Sequence, residues 1–287
     1  MRIALIFNKE APYTTGSYIE KALNNSNLEF RHFWTSQAHL IKPEFDLYLR
    51  IDHGDYKYDL PEYLRPSVFL AIDTHLKKPF RKILRQARHY DFVFCAQKEG
   101  AEKLKRKAIN SYWLPLGCEP EIHQRCDIKK EFDIGFVGTE GKKSSRKALI
   151  DKLKERYPQS FFGMAEHTQM NRIYSASKIG FNYSINNDIN MRIFEIMASG
   201  TMLITNYIHN NGFEDLFEQG RHLVVYRNMR ELLRLVEYYL THQEQRERIA
   251  HSGCQLVSSN HRYVDRLNKM FDYIRASDPH RYRDLKL

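Results

Sequence analysis

The stretch from Phe181 to Asn206, FNYSINNDINMRIFEIMASGTMLITN, leaves this chain the fewest choices of fold. It opens on a short apolar strand that runs out at Ser184. A polar loop rich in Asn and Asp follows, residues 185–189. Asn190 is a favoured N-cap type and predicts a helix start; Gly200 is a favoured residue just past a helix end. The apolar run TMLIT resumes at once. Strand, loop, helix, strand is one unit of a parallel α/β sheet. The helix is apolar except at Arg192, Glu195 and Ser199, which fall on one face. Two readings of that face stay open. It is a solvent-exposed edge carrying an i,i+3 ion pair, or it looks toward a ligand. Open parallel sheets bind ligands beyond their C-terminal strand ends, where helix N-termini offer N–H groups and a positive dipole end.

The rest of the chain repeats this grammar. RIALIF is a first strand, a turn at 11–16 follows, and a helix runs from Ser17 to about Leu23. LEFRHFW, FDLYLRI, SVFLAID and DFVFCA read as strands, EGAEKLKRKAI as a helix, and SYWLPLG closes the set. The segment LKKPFRKILRQARHY is expected to break at Pro79 and turn helical after it. Apolar runs without strict alternation fit strands buried on both faces. FDIGFVGTEG then starts a second series, and MRELLRLVEYYL shows a helical period through Leu232, Leu233, Val236 and Tyr239. At 287 residues two domains are expected. The boundaries read as 1–118 for a first Rossmann-like domain, 119–130 for a linker, 131–276 for a second Rossmann-like domain and 277–287 for a basic tail.

Those elements carry a resemblance. The segment with Asn190, Arg192, Phe194, Glu195 and Gly200 resembles the C-terminal domain of GT-B glycosyltransferases of group 1 type, especially the CgeB-like spore maturation group. The resemblance implies an α/β fold of GT-B architecture: two Rossmann-like domains whose parallel sheets face a central cleft. It implies that the first is acceptor-side and the second binds the nucleotide sugar. It implies a transferase using a nucleotide-sugar donor, with a UDP-sugar favoured. Retaining relatives carry two Glu residues with seven positions between them; the second matches Glu195 and the first falls on Asn187. By that likeness Glu195 holds the ribose. Arg192, Asn190 and the backbone at Gly138 and Thr139 hold the diphosphate, with Arg146 as a charge partner. WLPLGCEPEIH resembles the phrase that ends the first domain, and the resemblance leaves open that the last helix, residues 262–276, crosses back to it. A His or Asp at a comparable loop faces the transferred sugar, which makes His75 and Asp73 the catalytic candidates.

The residues themselves bear on these assignments. Gly135, Gly138 and Gly141 do not form the dinucleotide fingerprint, so a nicotinamide role is disfavoured. Gly138 and Thr139 nevertheless sit at a strand end, where backbone can approach phosphate. The plain alternative is a turn glycine and a surface Arg146. Gly16 offers the same choice, phosphate approach or simple turn. Asp52, His53 and Asp55 follow one strand and Asp73 with His75 another, so either set could do acid–base work or cap a loop. No Asp-x-Asp occurs, which argues for diphosphate stabilisation by helix dipole and basic residues without metal. No cofactor is expected.

The formal charge of +10 favours anionic partners. Lys78, Arg81, Lys82, Arg85 and Arg88 fall on one helix face, either a solvated face or a docking face for an anionic or lipid-linked acceptor or the membrane surface. Interleaved aromatics for base stacking are missing there, so no nucleic-acid partner is expected. No apolar run approaches the ~20 residues of a membrane span, and RIALIF is too short for a signal peptide. The four cysteines lack metal spacing and read as reduced thiols in a cytoplasmic protein. Three functional readings stand: a metal-independent glycosyltransferase, a catalytically silent nucleotide-sugar or glycan-binding module, or a nucleotide-sugar epimerase.

Overall fold

The computed structural model describes residues 1–10, 13–142 and 144–287. Ala11 and Pro12, part of the expected turn at 11–16, lie outside the described residues. Two compact units emerge: Met1–Leu116 with Tyr263–Leu287, and Gly117–Arg262.

The first unit is built from β1 (Arg2–Ile6), α1 (Thr15–Asn24), β2 (Glu29–Phe33), β3 (Leu47–Ile51), β4 (Ser67–Ala71), α2 (Lys77–Gln86), β5 (Phe92–Cys95), α3 (Lys98–Lys105) and β6 (Ser111–Trp113). The strands form one parallel sheet in the order β2-β1-β3-β4-β5-β6. Inner strands are apolar without alternation because both faces are covered: Ile3, Ala4, Leu5 and Ile6 are wholly buried. The edge strand β2 is half exposed, which is why EFRHF carries Arg31 and His32. Pro79 does not break α2. It sits in the first turn, where an amide has no intrahelical partner to lose, and the helix starts two residues before it.

The second unit holds β7 (Phe132–Val137), α4 (Ser145–Arg156), β8 (Phe161–Gly163), α5 (His167–Ser175), β9 (Ser177–Asn182), α6 (Met191–Ala198), β10 (Met202–Asn206), α7 (Phe213–Leu216), β11 (Val224–Tyr226), α8 (Met229–Thr241) and α9 (Gln243–Asn260). Its parallel sheet runs β11-β10-β9-β7-β8. Chain order reverses between β7 and β9, the switch point where such sheets bind ligands. Leu232 and Val236 of α8 enter the core with Ile134, Phe136, Ile179, Phe181 and Ile204.

Two expected boundaries differ. The helix α10 (Tyr263–Ser277), expected at the end of the second domain, packs in the first unit. Its buried stripe includes Leu267, Met270, Phe271 and Ile274. Tyr263 lies 5.1 Å from Tyr18 of α1 and Tyr273 lies 4.5 Å from Tyr112 of β6, between ring centroids. The tail beyond it also folds there, with Leu285 fully buried. Residues 119–130, expected as a linker, belong to the second unit. Among the described residues no helix is long and apolar enough to cross a membrane.

Candidate functional site

The switch point of the second unit is organised by Arg192. The loop before it, 185–190, turns tightly: Asn186 and Asn187 adopt left-handed backbone at φ 53° and 59°, a conformation Asn tolerates better than most residues. Asp188 fixes the turn, accepting from Ser184 Oγ at 2.9 Å and Ile185 N at 2.7 Å. Asn190 stands at the N-cap of α6 as expected, but its side chain does not cap. Its Oδ1 is buried without a partner.

Arg192, in the first turn of α6, reaches across the sheet ends. Nε donates to the Val137 carbonyl at 2.9 Å and Nη1 to Asn182 Oδ1 at 3.2 Å. The guanidinium lies 4.6 Å over the Phe136 ring. Gly138 is where this side chain needs room. It has φ 143°, and a Cβ there would meet Arg192 Nη2 at 2.4 Å. The Gly138 amide donates to the Gly163 carbonyl at 2.8 Å, so that N–H, expected for phosphate, is already engaged. Thr139 is different: its hydroxyl accepts from Arg146 Nη2 at 3.4 Å.

Arg146, near the start of α4, also donates to the Glu140 carbonyl at 3.4 Å. Burial, then the nearby positive charge of Arg192, pushes its pKa down; Asp188 and Tyr183 act weakly the other way. Among the described residues neither arginine forms an ion pair. Two half-buried guanidinium groups therefore lie at one switch point with backbone, amide and hydroxyl partners and no such ion pair. Each such partner satisfies N–H donors and leaves the charge uncompensated.

Glu195 corrects the exposed-edge reading. It is 7% exposed, and Ser199 is 1% exposed; no Arg192–Glu195 ion pair forms among the described residues. The carboxyl faces His123 Nε2 at 3.9 Å, beyond hydrogen-bond range. His123 Nδ1 accepts from the Glu119 amide at 2.9 Å, so Nε2 carries the proton in the neutral ring. Burial raises the Glu195 pKa from 4.5 to about 7, with Arg192 pulling it down only in part. The linker reading gives His123 no role; its signal in the chain is the phrase EPEIH, a few residues after β6.

Asn187, at the position of the first family Glu, has a structural task. Its Oδ1 accepts from His209 N at 3.2 Å and its carbonyl from Asn211 Nδ2 at 2.5 Å. These bonds tie loop 185–190 to the loop after β10. A cavity of about 760 Å³ also opens in this unit, lined by Tyr183, Tyr207, Tyr226, His209 and Arg227 among others. None of the predicted site residues lines it.

In the first unit the strand-end candidates separate. Asp52 is 3% exposed and its carboxylate accepts from Gly54 N, Tyr56 OH, Ile72 N and Asp73 N at 3.0–3.4 Å. It fastens the loops after β3 and β4 together, and the loop-capping reading holds for it. His53 Nε2, Thr74 Oγ1 and His75 Nδ1 are different: each is buried without a partner. Asp73 and His75 are half-buried in the loop between β4 and α2. Gly16 lies in the first turn of α1, and a Cβ there would meet the Phe7 ring at 2.3 Å. It is a packing glycine inside a helix, not the open turn expected.

Comparison with known proteins adds to this geometry. Residues 125–272 match a family model described as glycosyl transferase-like. In structure the chain is similar to Anabaena HepE in complex with UDP and glucose, at 12% identity, 96% coverage of this chain, 100% of that one and a TM-score of 0.70. It is similar to sucrose-phosphate synthase of Thermosynechococcus elongatus at 10% identity, with 97% and 99% of the two chains covered and a TM-score of 0.68. TarM of S. aureus is similar over 83% of this chain and 56% of its own, at 10% identity and a TM-score of 0.63. At such identities these likenesses show the fold, an α/β architecture of GT-B type with two parallel sheets. No curated protein matches the chain.

Proposed function

The chain belongs to the glycosyl transferase-like family, and on that premise we propose that it moves a sugar from a nucleoside-diphosphate sugar to an acceptor hydroxyl without a metal ion. Membership selects the transferase over the silent module and the epimerase. A uridine diphosphate carrier is favoured: similar structures of HepE are complexes with UDP and with UDP-glucose. The CgeB-like group remains our assignment within the family, on the segment Asn190–Gly200.

The observation that carries the reading is the uncompensated pair Arg146 and Arg192 at the switch point. A diphosphate supplies the missing negative charge. The Thr139 hydroxyl, the Asn190 side chain and the start of α6 would add hydrogen bonds and a positive dipole end. As the bond to the sugar breaks, charge grows on the leaving diphosphate, and cations already in position stabilise it with little reorganisation. Glu195 would accept ribose hydroxyls, beside His123. His75 and Asp73 would act at the transferred sugar or the acceptor hydroxyl, through proton transfer or positioning.

Calorimetric titration of UDP, GDP, ADP and TDP into the wild type, Arg146→Gln and Arg192→Gln tests this. Hydrogen bonds to charged groups are worth about 1.5–3 kcal/mol, so each substitution should weaken the preferred nucleotide about ten- to a hundredfold. Circular dichroism controls for folding. Unchanged affinity in both folded variants would remove the diphosphate site.

A further inference from the structure

The helix α2 carries no acidic residue along KKPFRKILRQ. Its inner face is spent on the core: Ile83 and, just beyond the helix, Ala87 are fully buried, and Gln86 is 6% exposed. Lys78, Arg81, Lys82 and Arg85 project from the outer face, and Arg88 continues it in the short 3-10 turn at 87–89; all five are exposed. Among the described residues none of them is in an ion pair. Beside this face lies the loop 52–66. Gln86 Nε2 donates to the Tyr56 and Tyr58 carbonyls at 3.4 Å each, Lys82 lies 5.4 Å over the Tyr56 ring, and Arg65 Nη2 donates to the His89 carbonyl at 3.0 Å. The loop is thus fastened to α2 and the 3-10 turn after it at three places. It presents Tyr58 and Tyr63, 36% and 65% exposed, together with Lys57.

We propose that the outer face of α2 and this tyrosine-bearing loop form a docking surface for an anionic lipid bilayer. Unpaired cations on a convex helix match a plane of negative headgroups. Exposed tyrosines suit the headgroup level, where an apolar ring and a polar hydroxyl both find partners. The acids nearby do little to cancel the charge. Asp59 is held by Arg50 at 3.1 Å and by Tyr90 at 2.7 Å; Asp55 and Glu62 stand as two acids against the six exposed cations Lys57, Lys78, Arg81, Lys82, Arg85 and Arg88. A nucleic acid fits less well, since the rings stand on the loop and do not alternate with the cations as a base-stacking groove requires. Because the apolar side of α2 is locked in the core, the helix cannot roll over and bury itself in lipid. Docking is therefore electrostatic, shallow and reversible by salt. The inference needs no sugar donor, so it stands or falls apart from the transferase reading.

The test is co-sedimentation of the full chain with phosphatidylglycerol–phosphatidylcholine vesicles. One basic residue near an anionic surface changes partitioning about fivefold, so Arg81→Gln with Arg85→Gln should lower it roughly 25-fold. Tyr63→Ser should lower it less. Arg230→Gln with Arg234→Gln, exposed on α8, should leave it unchanged, and UDP affinity should be the same in all variants. Salt should release the wild type as the Debye length falls from ~30 Å to ~8 Å. Equal binding to pure phosphatidylcholine, indifference to Arg81 and Arg85, or binding to a single-stranded oligonucleotide but not to vesicles would each overturn the proposal.

Discussion

The two units place similar topology around different chemistry. In the first, chain order reverses between β1 and β3; in the second, between β7 and β9. At the end of β3 the charge of Asp52 has the buried Arg50 guanidinium nearby, and its oxygens are taken up by local donors, including Tyr56 and the amides of Gly54 and Ile72. What is left over there is hydrogen-bonding capacity: His53 Nε2, Thr74 Oγ1 and His75 Nδ1. At the ends of β7 and β9 the reverse holds. Hydrogen bonds of Arg192 are satisfied by Val137 and Asn182, and what is left over is positive charge. A site with spare proton donors and acceptors suits a hydroxyl; a site with spare cations suits a diphosphate. The comparison teaches that a fold fixes where a ligand goes, while the residue left unsatisfied fixes what kind.

The sharpest test of this division is His75→Ala. If the first unit serves proton transfer, sugar transfer should fall about 10²–10⁴-fold, with UDP affinity kept. A loss of UDP affinity instead would break the division between the units. Asp52→Ala should behave differently from both. It orphans several buried donors at about 1–3 kcal/mol each, so chemical denaturation should show a loss of roughly 3 kcal/mol or more, with no selective change in kinetics. If stability holds and the rate alone falls, Asp52 belongs to the chemistry.

Glu195 sharpens the other half. Its carboxyl titrates near 4.5 in the unfolded chain and at about 7 in the fold. A group raised in this way supports stability fully below pH 4.5 and loses that support as the pH rises through about 7. The displacement amounts to about 3 kcal/mol. Glu195→Gln does not titrate, so it should match the wild type in pH dependence only outside this window and be relatively more stable at pH 8 than at pH 4. Urea unfolding at a series of pH values reads this directly. Parallel curves would mean that the buried carboxyl is compensated by groups other than Arg192. The smallest expected effect is that of chelation. EDTA should leave UDP binding and transfer unchanged if Arg146 and Arg192 neutralise the diphosphate in place of a metal; activity lost and then restored by Mg²⁺ or Mn²⁺ would end the metal-free proposal.

Much of this was legible in the chain itself. Apolar runs at RIALI and FVFC, punctuated by helices, dictate parallel strands buried on both faces. Asn190 and Gly200 mark a helix between two strands, because an N-cap type and a left-handed C-terminal glycine are local chemistry; Gly200 has φ 69°. Local pattern also brings Arg192 to the first turn of that helix, and so to a strand end. Tertiary packing decided the rest. Glu195 shares a helical face with Arg192 by periodicity, yet whether that face meets water depends on segment 119–123, which brings His123 against it. Gly16 looks like a site residue in one dimension and Asn187 stands where the resemblance expects an acid; the Phe7 ring packs against the one and His209 N bonds the other. The apolar stripe of α10 predicts a helix that packs, but a stripe does not name its partner, and Tyr18 and Tyr112 draw it into the first unit. Sequence determined the elements and their order, since those follow from neighbours a few residues away. Only the fold decided which polar groups remain unsatisfied, because that depends on atoms brought together from far along the chain.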